Sequence, residues 1–206
     1  MTKDLPSQLW QPRSTEDTLK LYADWADSYE ADVAAYGYAT PARCADILAA
    51  HMPDLTLPVL DFGCGTGLSG TALAAKGFST LDGTDISDDM RAQATEKGVY
   101  RDVFAGIPGE MPKVAPGSYH AIAAVGVISL GAAPAETLDP LLKLLAPGGL
   151  LVFSYNDATL RDTGYMGALA DVQTSEIALM LAASYGPHLP QKEGAQGSTV
   201  YIMRRL

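Results

Sequence analysis

The sequence predicts an α/β fold: an open, mostly parallel sheet with helices on both faces, closed by an antiparallel hairpin at its C-terminal end. Three observations carry this. From about residue 57 onward, short apolar runs of strand length alternate with segments of helical period. The first of those runs opens into a turn holding four glycines within eight residues, Gly63, Gly65, Gly67 and Gly70. The last two runs, "EIALMLAASYG" and "STVYIMRRL", are separated by a Gly-, Pro- and polar-rich loop without room for a crossover helix, so they pair antiparallel.

Taken in order, Leu19, Tyr22, Ala26 and Tyr29 recur at three- and four-residue spacing and predict a helix over about 15–33. A second helix restarts at "TPARCADILAAHM", where Thr40 is a cap and Pro41 occupies a tolerated first-turn position. "LPVLDF" is the first strand; the helix behind the glycine turn runs to about Lys76 and stops at Gly77. "STLDGTDI" is the second strand, and a helix from Ser87 to Lys97 closes at Gly98. The third strand lies around 99–105 and the fourth is "YHAIAAVGVI". Pro134 to Leu145 is a helix stopped by Pro147-Gly148-Gly149, before a fifth strand, "LLVFSYN". With no repeat or low-complexity linker, the 206 residues are expected to form one domain, with N-terminal helices over about 15–51 and a core over about 57–206.

Composition excludes several classes. Hydrophobic residues make up 48% and charged ones 18%, a globular balance, and the formal net charge of −10 repels phosphate backbones. Nucleic acid is therefore not an expected partner. The start, "MTKDLPSQLW", lacks an apolar signal core, and the longest apolar run, "AIAAVGVISLGAAPA", is short of a membrane span and broken by glycine. A cytoplasmic protein with no membrane partner is expected. Two cysteines, Cys44 and Cys64, supply neither a disulfide framework nor metal spacing, so no metal is expected.

The glycine turn carries the functional signal. A strand, a glycine turn and a helix start present backbone N–H groups and the helix dipole to an anionic or strongly polar group. One glycine suffices for a tight turn; four suggest that a ligand approaches the backbone closely. Gly65, Gly67 and Gly70 fit the dinucleotide pattern G-x-G-x-x-G, but the first glycine after the strand is Gly63, which puts that frame off. Asp85 ends the second strand, 18 residues beyond Gly67, where a carboxylate accepts both hydroxyls of a ribose. It also competes with Ser87 as a helix-entry cap. Ile86 beside it offers an apolar surface for a base.

These residues resemble a known family. "VLDFGCGTG" is similar to the first motif of class I S-adenosylmethionine-dependent methyltransferases, "GTDIS" to their acidic second motif, and "LLKLLAPGGLLVFSYN" to their helix, Pro-Gly-Gly turn and fifth strand. With "LYADWADSYEADVAAYGYATP" and "YGPHLP", the chain resembles the small methyltransferase-like group named after the Williams–Beuren syndrome region. The resemblance implies a Rossmann-like seven-stranded sheet of order 3-2-1-4-5-7-6 and the cofactor S-adenosyl-L-methionine. It implies that Asp61, Gly63, Gly65 and Gly67 line the methionine moiety, that Asp85 holds the ribose and that Ile86 packs on adenine; Cys64, a small side chain that fits inside the turn, is counted with the cofactor-binding residues. Gly106 and Ile107 would meet the adenine edge, with Ile107 standing where relatives commonly carry Asp. His120 stands where relatives often carry Asp and lies at the far end of the sheet, a structural position.

A sulfonium favours aromatic faces. Tyr22, Trp25 and Tyr29 share one helix face and form either a lid over the cofactor or a stripe docking on the core. Acceptor contacts are expected from three loops: "GVISLGAAP", which holds Val127, "SYNDATLRD", and "SYGPHLPQKEGAQGS". His188, on the third, is the histidine best placed for proton transfer, and Tyr36 and Tyr38 are expected substrate walls. His51 ends a helix as a capping or solvated group. Methyl transfer to a small-molecule acceptor is the leading reading. A non-catalytic binder of S-adenosylmethionine or S-adenosylhomocysteine acting through a partner is the alternative, and an NAD-dependent dehydrogenase a third.

Overall fold

The computed structural model describes residues 14–194 and 196–206, the side chains at 15, 19, 22, 23, 26 and 27 excepted. The segment "MTKDLPSQLW" and the Tyr22 side chain fall outside what is described. Seven strands form one sheet: β1 (Val59–Phe62), β2 (Leu81–Asp85), β3 (Asp102–Ala105), β4 (Ala121–Ala124), β5 (Leu150–Asn156), β6 (Ala178–Leu189) and β7 (Gln196–Arg205). Their order is 3-2-1-4-5-7-6, as the family resemblance implies. β1 to β5 pair in parallel, and β7 runs antiparallel to both β5 and β6.

Strand periodicity divides the core into two layers. Leu60, Ile122, Leu151, Phe153 and Met203 face one side and pack with α5 (Leu138–Leu144) and α7 (Thr163–Thr174). Val59, Ala121, Ala123, Val152 and Ile202 face the other, against α2 (Thr40–His51) and α3 (Leu68–Ala75). The first helix, α1 (Thr15–Ala35), is capped by Ser14, whose hydroxyl accepts from Asp17 N–H. Its Glu30 pairs with Lys97 at the C-cap of α4 (Asp88–Glu96), 2.7 Å away. Among the described residues, no helix is long and apolar enough to cross a membrane.

Several local expectations change. Ala39, not Thr40, caps α2, and no side-chain cap bond forms there. Thr40 is instead buried, its hydroxyl 2.8 Å from His188 Nδ1 and 3.0 Å from Ser198 Oγ. The helix expected from Pro134 divides into a 3-10 turn (Ala135–Thr137) and α5. "SYNDATLRD" is not an open loop: Asn156 accepts from Thr159 N–H and starts a short helix, α6 (Asp157–Leu160), and Asp162 caps α7. β6 also runs further than its apolar run, because Gly186 and Pro187 continue the ladder opposite Ser198 and Gly197. His188 therefore stands on a strand and is buried, not on a surface loop.

Candidate functional site

The carboxyl ends of β1, β2, β3 and β4 meet where the strand order reverses, the usual ligand position in an open α/β sheet. A cavity of about 460 Å³ opens there. Phe62, Gly63 and Gly65 line it from the first strand and turn, Thr84, Asp85 and Ile86 from the second, Gly106 and Ile107 from the third, and Val125 to Val127 from the fourth. Tyr29 reaches it from α1 and Tyr38 from the connection between α1 and α2.

The four glycines do not share one purpose. A Cβ placed on Gly65 would meet nothing within 4 Å, and its φ of +53° suits glycine. A Cβ on Gly70 would lie 2.2 Å from the Tyr100 ring, one on Gly63 2.4 Å from Val127, and one on Gly67 3.1 Å from Lys97. Three glycines thus make room for the chain's own side chains, and one leaves main chain bare toward the cavity.

Asp85 ties the turn to the second strand. Its Oδ2 accepts from Gly65 N–H at 3.0 Å and its Oδ1 from Ser87 N–H at 2.9 Å. Burial raises its carboxyl above the ordinary range, opposed by those two N–H donors. Each oxygen keeps a further lone pair, so the structural and ribose-binding readings coexist. Ser87 takes the helix cap itself, accepting from Met90 N–H.

Asp61 lies fully buried behind the turn. Its Oδ2 accepts from Ser69 Oγ and from the Tyr100 hydroxyl, each at 2.6 Å, while its Oδ1 has no partner. Burial pushes its carboxyl up to about 6, against the two hydroxyl donors, with the neighbouring Asp85 adding to the rise. Thr66 and Thr84 each leave a buried hydroxyl without a partner in the same region. Buried polar atoms are ordinarily paired; of these three residues Thr84 also lines the cavity, while Asp61 and Thr66 do not. A bare backbone, an open carboxylate and an apolar wall fit a nucleoside carrying an amino-acid tail.

Of the residues singled out in the sequence, Tyr29, Tyr38, Gly63, Gly65, Asp85, Ile86, Gly106, Ile107 and Val127 line the cavity. Trp25, Tyr36, Asp61, Cys64, Gly67 and His188 are not among its lining residues. The Trp25 indole N–H donates to Asp32 at 2.8 Å and the ring packs edge-on against Tyr29. Tyr36 joins the same helix-packing cluster. Cys64 is buried against Gly83, and burial raises its thiol well above the usual range. His188 contacts Tyr38 edge-on at 5.2 Å, and burial lowers its imidazole to about 4. His51 bonds back to the Ile47 carbonyl, and His120 is exposed.

Of the three expected acceptor loops, only "GVISLGAAP" contributes lining residues among those described. Contributors that escaped the sequence reading include Met90 on α4, Met111 and Pro112 after β3, and Glu136 and Thr137 on the 3-10 turn. Their common signal is position beyond a parallel strand's carboxyl end, which applies to β3 as much as to β4. Among the described residues, the cavity's charged lining groups are Asp85, Glu110 and Glu136, with no Lys, Arg or His.

A family model described as a methyltransferase domain matches residues 36–190. Human methyltransferase-like protein 27 is 36% identical over 136 residues, 65% of this chain and 55% of that protein. A ribosomal protein L11 methyltransferase from Pseudomonas putida is 31% identical over 193 residues, 85% of this chain and 59% of that protein. The chain thus spans a little over half the length of these curated relatives. Among solved structures, a possible histamine N-methyltransferase from Thermotoga maritima superposes with a TM-score of 0.69 at 15% identity, covering 92% of this chain and 100% of that one. The [4+2]-cyclase SpnF also gives 0.69 at 15% identity, over 95% and 98%. At that identity the likeness speaks for the fold, and the cyclase shows that this fold does not by itself dictate the reaction.

Proposed function

Since the chain belongs to the methyltransferase-domain family, whose cofactor is S-adenosylmethionine, we propose that it transfers a methyl group from S-adenosylmethionine to a small-molecule acceptor in the cytoplasm. The observation that carries the reading is the pairing of Gly65, open to the cavity, with Asp85, which holds that turn and lines the same cavity. When bound, the cofactor supplies a methyl group already activated on a sulfonium centre.

The chain's part is positioning and exclusion of water. Gly65 admits the amino-acid end to the main chain. Asp85 accepts the ribose hydroxyls through the lone pairs that the Gly65 and Ser87 N–H groups leave open. Ile86 and Met90 give the base an apolar seat, and Gly106 and Ile107 close its edge. The aliphatic Ile107 offers no side-chain acceptor, so base recognition falls on shape and backbone. Tyr29 and Tyr38 turn aromatic surface toward the cationic centre. Treating the chain as one domain, α1, α2 and their connection act as a lid, bringing Thr18, Tyr29 and Tyr38 to the cavity.

A small acceptor that is neutral or cationic suits a lining whose charged groups are all carboxylates. We assign His188 to holding Tyr38 rather than to proton transfer. It lies behind that ring, bonded to Thr40, and its lowered pKa makes it a weak base. The test is a screen of metabolite pools for acceptor-dependent release of S-adenosylhomocysteine. Release stimulated by a small molecule and abolished in Asp85→Ala supports the reading. Tight S-adenosylhomocysteine binding with no turnover on any pool, and a protein that co-purifies, would favour the non-catalytic binder instead.

A further inference from the structure

We infer that Tyr100 is a positioning residue of this site: its ring seats the glycine turn, and its hydroxyl holds Asp61 as an anion behind it. The inference rests on the proposed cofactor site, and it concerns a residue outside the motifs that mark that site in the sequence.

Tyr100 lies on the short segment between α4 and β3, yet its ring reaches under the turn. A Cβ would come within 2.2 Å of it from Gly70 and 3.3 Å from Gly67 and Gly83. Three glycines on two elements thus surround one ring, so their lack of side chains is what lets it in. At its tip the hydroxyl accepts from Gly70 N–H at 3.1 Å and donates to Asp61 Oδ2 at 2.6 Å. The Gly70 amide belongs to the first turn of α3, so this single hydroxyl couples the helix start to the buried carboxylate.

Facing the Asp61 carboxyl are the Ser69 and Tyr100 hydroxyls, the Gly70 amide, the Asp85 carboxyl and the thiols of Cys44 and Cys64. Burial and Asp85 favour the protonated form; the donors favour the charged one. Deleting one donor therefore moves Asp61 toward neutrality. Its partnerless Oδ1 is then a weaker acceptor for a cation entering at the turn.

Tyr100→Phe tests this, since it keeps the ring that fills the space and removes the hydroxyl alone. Carboxyl NMR titration of the ligand-free chain is expected to show the Asp61 midpoint raised by about one pH unit in the variant. Calorimetry is expected to show S-adenosylhomocysteine bound about tenfold more weakly near pH 5, about twofold more weakly at pH 7 and equally well by about pH 9. An unmoved Asp61 midpoint, or an affinity loss of the same size at every pH, reduces Tyr100 to packing and overturns the inference. If the native chain binds no S-adenosylhomocysteine, the cofactor reading itself fails; the titration still decides whether Tyr100 sets the charge of Asp61.

Discussion

The hairpin edge of the sheet and the glycine turn behind its inner strand β1 each bury a titratable group, and they treat it differently. At the hairpin end, His188 meets Thr40, Thr40 meets Ser198, and Arg43 donates to Ser198 and to the carbonyls of Ser184 and Pro187. Among the described residues, none of those side chains leaves a buried polar atom without a partner. At the turn, Asp61, Thr66 and Thr84 each leave one. Burial drives both groups toward neutrality, His188 down to about 4 and Asp61 up to about 6. A completed network joins α2 to the hairpin and is architecture. We take the uncompleted one, whose Thr84 lines the cavity, as a place for another molecule. Breaking the first should cost stability, and breaking the second should cost binding.

The largest effect is expected from Asp85→Ala. Removing the carboxylate we propose to take both ribose hydroxyls should weaken S-adenosylhomocysteine binding by about 100-fold, measured by calorimetry. Thr40→Ala, in the hairpin network, should stay within about twofold. Equal losses in both would erase the distinction between the two networks.

Two glycines sharpen the contrast within the turn. Gly65→Ala puts a methyl group into open space, so affinity should drop by more than about tenfold while urea unfolding shows a loss of about 1–2 kcal/mol from backbone strain. Gly70→Ala drives a methyl into the Tyr100 ring, and its unfolding loss should be the larger, about 2–4 kcal/mol. The reverse order of stabilities would contradict the division of roles among the glycines.

His188→Gln should lower stability by about 1–3 kcal/mol near neutral pH and weaken S-adenosylhomocysteine binding by no more than about twofold, through the loosened Tyr38 ring. It should also alter the acid limb of the stability curve. The folded imidazole resists protonation, so its contribution is present above the ordinary value of 6.5 and is lost as pH falls through about 4. Asp61 runs the other way: its contribution is full below 3.8 and is lost as pH rises through about 6. The variant's unfolding free energy, followed by urea titration across this range, should therefore fall less steeply toward acid than the native chain's.

The smallest effect is a pH dependence of binding. Affinity for S-adenosylhomocysteine should decline severalfold as pH drops through about 6, where Asp61 takes up a proton. A flat profile would remove Asp61 from ligand recognition.

What could be read from the sequence follows the range of the interactions. The strand, glycine turn and helix from Val59 to Ala75, the Ser87 cap and the Gly98 stop are local, and they appear where the spacing put them. Asp85 was legible because strand ends converge at the reversal of sheet order. Thr40 was misread because a threonine before proline looks like a cap, while its partners lie 148 and 158 residues away. Tyr100 was invisible for the same reason, being 39 residues from Asp61. The helix Thr163–Thr174 was missed because two glycines and two threonines dilute its apolar face.

The most direct measurement is a crystal structure of the chain grown with S-adenosylhomocysteine. The account predicts both ribose hydroxyls on Asp85 and the amino-acid tail against Gly65. A turn left empty at saturating ligand, or one taken by the pyrophosphate of a nicotinamide dinucleotide in a parallel soak, would contradict it.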